Sequence, residues 1–394
     1  MPLWYPLSPG RLPSPRSAAP IRRVVAIVVN YFSATLTLRA VASILASPCP
    51  ASVTVVVVDN SESPQEAAVL ERDLPKPVRL IVAPHNLGFG QACTMAWKKC
   101  PGDALLLLNP DAYLLGRCLE NMLDVLNADG RIGAVGPKIY WDPLCRFLLP
   151  PSVPPNWILM LSVADRLGFR AAPFLRAAGE LWRRQAVRAW ATMTPFPVKN
   201  LSGGSVLLRA EAVRDVGGLF DPRFFLYFED TDLFVRMRER GWRLVVCPKA
   251  AVVHEFDRCG LEGVHIKRRL MADSHKIFLR KHFPWYELFV RHVPQVRHRD
   301  MAEADPGETM PRYCKPFRIF VPPEITRPWL FEWSPNANFI PAAAAFGTGR
   351  VAEFPEDCFE RLSPGRYFGR IGSVNASIGS RRIRFSFVVE STQP

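Results

Sequence analysis

Between residues 24 and 140, short runs of β-branched residues and leucine alternate with longer stretches of helical spacing. Val24–Val29 and Val53–Val58 are unbroken apolar runs, the pattern of strands covered on both faces, and Ala34–Ala46 between them has helical spacing. Val78–Val82, Ala104–Leu108 and Ile132–Ile139 continue the series, with helices expected near Gly90–Lys99 and Arg117–Ala128. This alternation predicts an α/β fold with a mostly parallel, Rossmann-like sheet flanked by helices. Such sheets bind ligands beyond the carboxyl ends of their strands. Asn30, Asp59, the 83–90 segment and Asn109–Asp111 are therefore expected to share one crevice.

Strand signals stop between about residues 144 and 198, where a proline-rich run (PPSVPP) leads into a basic helical stretch; this reads as an insertion at about 145–198. Ser205–Arg209, helical Glu229–Arg240, Arg243–Val246 and Ala251–His254 restore regular structure. Beyond residue 300, Phe317–Val321, Tyr367–Ile371 and Arg382–Val389 are β-like runs separated by Gly, Pro and Ser. In the last run Ile383, Phe385, Phe387 and Val389 fall on alternate positions, as in a strand with one well-buried face. The expected organisation is a Pro-rich, disordered arm at 1–20, a nucleotide-binding domain at 21–300 containing the insertion, and a small all-β accessory domain at 301–394.

With 48% hydrophobic and 22% charged residues, the chain is too apolar for a disordered protein. It has no apolar run long enough to span a membrane and no leader-like apolar core at its start. Nine cysteines without a CxxC pair fit reduced thiols, which makes a cytoplasmic setting the default. The formal charge of +14 is uneven: Asp165–Arg188 carries +4 and Lys267–Arg299 carries +7, and both stretches interleave aromatics (Phe169, Trp182; Phe278, Trp285, Phe289). That pattern fits peripheral docking on an anionic membrane surface, a groove for a phosphate-bearing substrate, or ordinary amphipathic helices with solvated faces. No nucleic-acid motif accompanies the charge, so no nucleic-acid partner is expected.

Several loops end in groups suited to a nucleotide. Asp59-Asn60-Ser61 follows a valine strand directly, and His85-Asn86-Leu87-Gly88-Phe89-Gly90 precedes a helix whose amides glycine would allow near phosphate. Asn109 and Asp111, two residues apart at a strand tip, can share a hard divalent cation with a diphosphate. In Gly217-Gly218-Leu219-Phe220-Asp221-Pro222-Arg223-Phe224-Phe225-Leu226-Tyr227-Phe228-Glu229-Asp230-Thr231-Asp232-Leu233, three carboxylates crowd the start of a helix after an aromatic run. Like charges that close raise one another's pKa, which suits a general base.

With these segments in view, the chain resembles family 2 glycosyltransferases of the GT-A fold, in particular their rhamnosyltransferase-like and galactofuranosyltransferase-like branch. The resemblance rests on an ordered set: Val28-Val29-Asn30-Tyr31, Val57-Val58-Asp59-Asn60-Ser61, Asn86-Leu87-Gly88-Phe89-Gly90, Leu107-Leu108-Asn109-Pro110-Asp111, Gly133-Ala134-Val135-Gly136-Pro137-Lys138, Ser202-Gly203-Gly204-Ser205 and the Tyr-Phe-Glu-Asp-Thr-Asp-Leu block that continues to Gly241-Trp242. It covers about residues 22–285. The resemblance implies an inverting, metal-dependent transfer of a sugar from a nucleotide-diphosphate donor to a hydroxyl of a glycan or lipid-linked acceptor, in bacterial cell-surface polysaccharide synthesis. It implies Asp230 as the base, with Glu229 and Asp232 holding it or touching the acceptor. Asn30, Asp59, Asn60, Asn86, Gly88, Asn109 and Asp111 would bind the nucleotide sugar, while Gly203, Gly204 and Trp242 would lie on the acceptor side. Asp111 and His254 would hold the cation, Mg or Mn. Two positions depart from the family's pattern: Asn109 stands where its first metal-motif Asp is expected, and Thr94 and Ala96 stand where a later Asn and Gly are expected. The alternative is a catalytically inactive relative that binds a glycan or a partner.

Overall fold

A computed structural model describes residues 19–168, 172–255, 258–260, 263–293, 311–375 and 380–390. The arm expected at 1–20 lies outside the described residues except for Ala19 and Pro20, as does the 301–310 segment. The first half runs β1 (Arg23–Asn30), α1 (Ala34–Ala46), β2 (Ser52–Asp59), α2 (Pro64–Asp73), β3 (Arg79–Val82), α3 (Gly88–Lys99), β4 (Ala104–Leu108), β5 (Ala112–Leu115), α4 (Cys118–Ala128) and β6 (Ile132–Tyr140). Then come α5 (Pro155–Leu167), α6 (Ala172–Ala191), β7 (Phe196–Val198), β8 (Ser205–Arg209), α7 (Ala210–Asp215), α8 (Glu229–Glu239), β9 (Arg243–His254), α9 (Val264–His282) and α10 (Trp285–His292).

These strands form one sheet in the order β3-β2-β1-β4-β8-β6-β9-β5, with β7 also on β9. β3, β2, β1, β4, β6 and β9 share one direction; β8, β5 and β7 oppose it. The expected mostly parallel α/β sheet is thus present. Alternation within β1 explains its two-sided burial. Val24, Ala26 and Val28 pack with α1 and α4, whereas Val25, Ile27 and Val29 pack with α3, α7 and α8 on the other face. β9 is one bulged strand rather than two short ones, with its register shifted between Pro137 and Lys138 of its partner β6.

The C-terminal region contains β10 (Arg312–Tyr313), β11 (Phe317–Phe320), β12 (Trp329–Ser334), β13 (Ala343–Gly347), β14 (Val351–Phe354), α11 (Glu356–Phe359), β15 (Gly365–Ser373) and β16 (Arg382–Val389). A five-stranded sheet, β10-β16-β15-β12-β13, shares an aromatic core with the antiparallel β11-β14 pair. Ser386 in the middle of β16 is buried together with Phe385 and Phe387, so both faces of that strand are covered at its centre. The aromatic core of this region takes in Trp141 and Phe147 from just after β6, and Leu148 and Ala344 exchange backbone hydrogen bonds. The C-terminal sheet therefore shares its core with the first half of the chain.

The insertion supplies α5 and α6, and one face of α6 is buried. Trp182 is buried against Trp157, with ring centroids 5.3 Å apart. Arg183, 2% exposed, donates to Glu332 of β12 at 2.7 Å and to the carbonyls of Ser373 and Val374. Arg370 of β15 holds the other oxygen of Glu332 at 2.7 Å, and Arg382 of β16 pairs with Glu180 of α6. Within the 165–188 stretch Trp182 and Arg183 are thus interior groups, whereas Phe174, Arg176, Arg184 and Arg188 are exposed. Among the described residues, no helix is long and apolar enough to cross a membrane.

Candidate active site

Strand register brings the predicted residues to one edge of the sheet. β1 and β2 pair Asn30 with Asp59 at their carboxyl ends. Asn30 is fully buried: its amide nitrogen donates to Asp59 Oδ1 (3.0 Å), Ser61 Oγ (3.2 Å) and Glu66 Oε1 (3.2 Å), and its oxygen accepts from Ser33 and Thr37. Asn60 and Asn86 are similarly engaged. Asn60 donates to Asn86 Oδ1 at 2.8 Å and accepts from the Leu87 amide, while Asn86 Oδ1 also accepts from the Gly88 amide. These three asparagines shape the pocket wall. Asp59 differs from them, because its Oδ2 is buried with no hydrogen-bond partner. A buried carboxylate oxygen left unpaired is costly unless a ligand supplies the donor.

Gly88 has a packing role that its sequence pattern did not display. It sits at φ +72°, and a Cβ there would lie 2.1 Å from the Phe225 carbonyl, which the Phe89 amide also contacts. The glycine thus admits the aromatic segment that precedes the acids. Beyond this wall, a cleft of about 410 Å³ is lined by Phe32, Ser33, Ala34, Glu66, Val69 and Arg258, among others. It adjoins both ends of the site, because Glu66 holds Asn30 and the Arg258 amide reaches Asp111 Oδ2 (3.3 Å).

Asp111 and His254 meet because β5 pairs antiparallel with β9, Ala112 opposite His254. His254 Nε2 lies 3.2 Å from Asp111 Oδ1, an atom otherwise buried without an aligned hydrogen bond. Burial works to raise the Asp111 carboxyl, but the charge and hydrogen bond of His254 and the Arg258 amide outweigh it, and the carboxyl is held below its ordinary value. Among the described residues, no group of three or more His, Cys, Asp or Glu side chains could hold a metal. The two present fit a cation that completes its shell with diphosphate oxygens and water.

The Ser202-Gly203-Gly204 turn joins this pair to the acids. The Gly203 amide donates to Asp230 Oδ2 at 2.8 Å, and the Gly204 carbonyl accepts from the Asn109 amide at 2.8 Å. A Cβ on Gly203 would fall 2.7 Å from Asp230 Cβ; one on Gly204 would fall 2.8 Å from Asn109 Nδ2 and 2.9 Å from His254 Cε1. Both positions are closed to a side chain. Tyr227 and Phe228, at φ +71° and +65°, enter α8 through the left-handed region, a conformation that costs about 1–2 kcal/mol per non-glycine residue and recurs at functional sites.

The three acids occupy different environments. Asp230 is raised, first by burial, while the Gly203 and Thr231 amides and the Thr231 hydroxyl pull it down. Glu229 is buried with Oε2 unpartnered, and burial, then Asp230's charge, pushes it up to about 8. Asp232 is fully buried and bound by Arg236 (2.9 Å), Lys281 (2.6 Å) and His282 (2.8 Å); burial would raise it, but these partners outweigh burial and lower it. Asp232 thus ties α8 to α9 and has no oxygen available to an acceptor, which corrects its expected place beside the base. Trp242 is not brought to the site either. It precedes β9, at the opposite end of that strand from His254, and its indole donates to Asp215 at 2.8 Å.

Residues that the sequence did not single out complete the arrangement. Ser63-Pro64-Gln65-Glu66 has the spacing of a capping box, and Ser63 does cap α2, but Glu66 reaches across to the Ala34 amide and Asn30. Glu255 accepts from Arg39 of α1 and pairs with Arg361 beyond α11. Lys281 and His282 were visible in the sequence only as charge.

Comparison with known proteins adds the following. The protein-family profile described as "Glycosyltransferase like family 2" matches residues 21–278. N-acetylglucosaminyl-diphospho-decaprenol L-rhamnosyltransferase of Mycobacterium tuberculosis is 32% identical over 248 residues, 58% of this chain and 74% of the relative. O-antigen biosynthesis protein RfbC of Myxococcus xanthus is 26% identical over 207 residues, 50% of this chain and 14% of the relative. Among solved structures, mannosyltransferase PcManGT from Pyrobaculum calidifontis in complex with GDP-Man and Mn2+ aligns with a TM-score of 0.41 and 18% identity, over 65% of this chain and 62% of its own. GalNAc-T7 with UDP, GalNAc and Mn2+ aligns with a TM-score of 0.46 and 14% identity, over 68% of this chain and 50% of its own.

Proposed function

The chain belongs to the glycosyltransferase like family 2 and is a glycosyltransferase, and from that premise we propose that it transfers a sugar, with inversion, from a nucleotide-diphosphate donor to a hydroxyl of a lipid-linked glycan. The observation that carries the reading is the two-glycine turn, which holds Asp230 by one amide and packs against Asn109 and His254 with the next residue. Consecutive residues of one turn thereby meet the base and the His254 member of the candidate cation pair. Asp59 Oδ2 accepts from the nucleotide, and Asp230 takes the acceptor proton as the hydroxyl attacks the anomeric carbon. Asp111 and His254 would hold a divalent cation, which when bound offsets charge on the departing diphosphate. A lipid-linked acceptor is supported by the name of the M. tuberculosis relative.

Screening a panel of nucleotide-diphosphate sugars, a nucleotide-linked L-rhamnose among them, against a polyprenyl-diphosphate-linked N-acetylglucosamine should show nucleotide release that depends on the acceptor. Asp230→Asn should lower turnover by about a hundredfold or more while nucleotide binding persists. Near-normal turnover in that variant would remove Asp230 from the base role.

A cytoplasmic enzyme docked peripherally on an anionic membrane surface is the matching setting. The surface that fits is α10 rather than α6: Trp285 and Leu288 are 51% and 58% exposed on one face, with Arg280 and Arg291 exposed nearby. Trp285→Ser with Leu288→Ser should reduce co-sedimentation with phosphatidylglycerol vesicles. Equal sedimentation with neutral vesicles would count against the assignment.

A further inference from the structure

Asn200 lies just before the two-glycine turn, in the coil between β7 and β8. It is 6% exposed, and its amide nitrogen makes two hydrogen bonds, to the Val153 carbonyl (2.9 Å) and to Thr231 Oγ1 (3.3 Å). Thr231 Oγ1 in turn lies 3.2 Å from Asp230 Oδ1. The side-chain oxygen of Asn200 is buried without a partner. Leaving that oxygen buried and unpaired costs about 1–3 kcal/mol, which the two hydrogen bonds of the amide nitrogen must offset.

We propose that Asn200 is a positioning residue for the base: it fixes the Thr231 hydroxyl so that the hydroxyl proton points at Asp230 Oδ1. A threonine hydroxyl has one hydrogen and accepts through its lone pairs. When Asn200 donates to Oγ1, the remaining hydrogen is directed to Asp230. Oδ1 then takes two donors, the Thr231 amide at 2.6 Å and the Thr231 hydroxyl, whereas Oδ2 takes the Gly203 amide alone. Oδ2, on the side of the two-glycine turn, is left as the oxygen that receives the acceptor proton.

The anchor of this chain of hydrogen bonds is outside the first sheet. Val153 belongs to the proline-rich linker, and its side chain packs against the cluster formed by Trp157, Ala178, Trp182 and Ile340. The last of these comes from the C-terminal region. The insertion and the C-terminal region therefore support the base through the Val153 carbonyl, which gives both a part in catalysis without touching substrate.

This inference rests on the transferase reading, and its test separates the two. In the full chain, with the donor identified by nucleotide release, Asn200→Ala and Thr231→Val should each lower kcat about tenfold and leave the donor KM within about twofold. The double variant should be no slower than the slower single one, because both break the same chain. Thr231→Ser, which keeps the hydroxyl, should recover most of the loss seen in Thr231→Val. Effects that multiply in the double variant, a loss confined to KM, or unchanged kcat in Asn200→Ala would overturn the proposal. If Asn200→Ala unfolds at the assay temperature, unchanged kcat in Thr231→Val overturns it equally. Absence of turnover in the wild-type protein would overturn the transferase reading, and this inference with it.

Discussion

Glu229 keeps its proton at pH 7, since burial and the adjacent Asp230 push it up to about 8. A neutral neighbour spares Asp230 a second like charge and lets it act as the single carboxylate of the pair. The same shift has a thermodynamic consequence. Below about pH 4.5 Glu229 is protonated in both folded and unfolded chains. Between there and about pH 8 the unfolded chain releases the proton and the folded chain retains it, so stability is lost as pH rises through this window and no further above it. Glu229→Gln should match the wild-type melting temperature near pH 4 and exceed it increasingly up to pH 8. A pH-independent difference would show that Glu229 is not held neutral. At this scale the sequence identified which residues meet, but not how their atoms are used. Asp230, Asp111 and His254 were legible as ordered motif positions. That Asn30 spends its amide on the Asp59, Ser61 and Glu66 side chains, and that Asn60 and Asn86 meet each other, depends on register between segments 26 to 36 residues apart, which spacing alone does not display.

β1, β2 and β4 were legible as elements because their residues bury on both faces, and unbroken apolar runs signal that directly, whereas the short β5 and β7 were missed, β7 within the stretch where strand signals stop. α2 was missed because only Leu70 of its residues is buried, so it has no strong apolar stripe. α6 was legible as a helix but not as an interior one. A basic amphipathic pattern looks the same whether its arginines meet water or a buried glutamate. Gly88 is the element-level device with the sharpest consequence, because it lets the start of α3 pass under the aromatic segment that delivers α8. Gly88→Ala faces both a left-handed backbone and a 2.1 Å contact with the Phe225 carbonyl. It should cost about 2 kcal/mol or more by chemical denaturation and should reduce turnover through displaced acids. A variant as stable and active as the wild type would show that this loop is not under that constraint.

At the scale of the whole molecule, the boundary expected near residue 300 is not a boundary in packing. Trp141 and Phe147 lie in the C-terminal aromatic core, with Trp141 and Trp333 ring centroids 4.9 Å apart, and Glu332 sits between Arg183 of the insertion and Arg370 of β15. Sequence composition separated these regions because it changes along the chain, whereas the core is assembled across it. Glu332 is the residue on which the two depend together. Removing its carboxylate leaves the nearly fully buried Arg183 with carbonyl partners only and Arg370 with Glu180 alone at 3.6 Å, and deleting one partner of a buried pair costs about 3–5 kcal/mol. Glu332→Ala should therefore lower the melting temperature by several degrees. In limited proteolysis it should open the 141–198 and 311–390 regions at the same rate, because neither retains a complete core when the other is released. A protease-resistant fragment spanning 311–390 would mean that the C-terminal sheet stands without the insertion. The route from Ile340 through Val153 to Asn200 would then lose its fixed end.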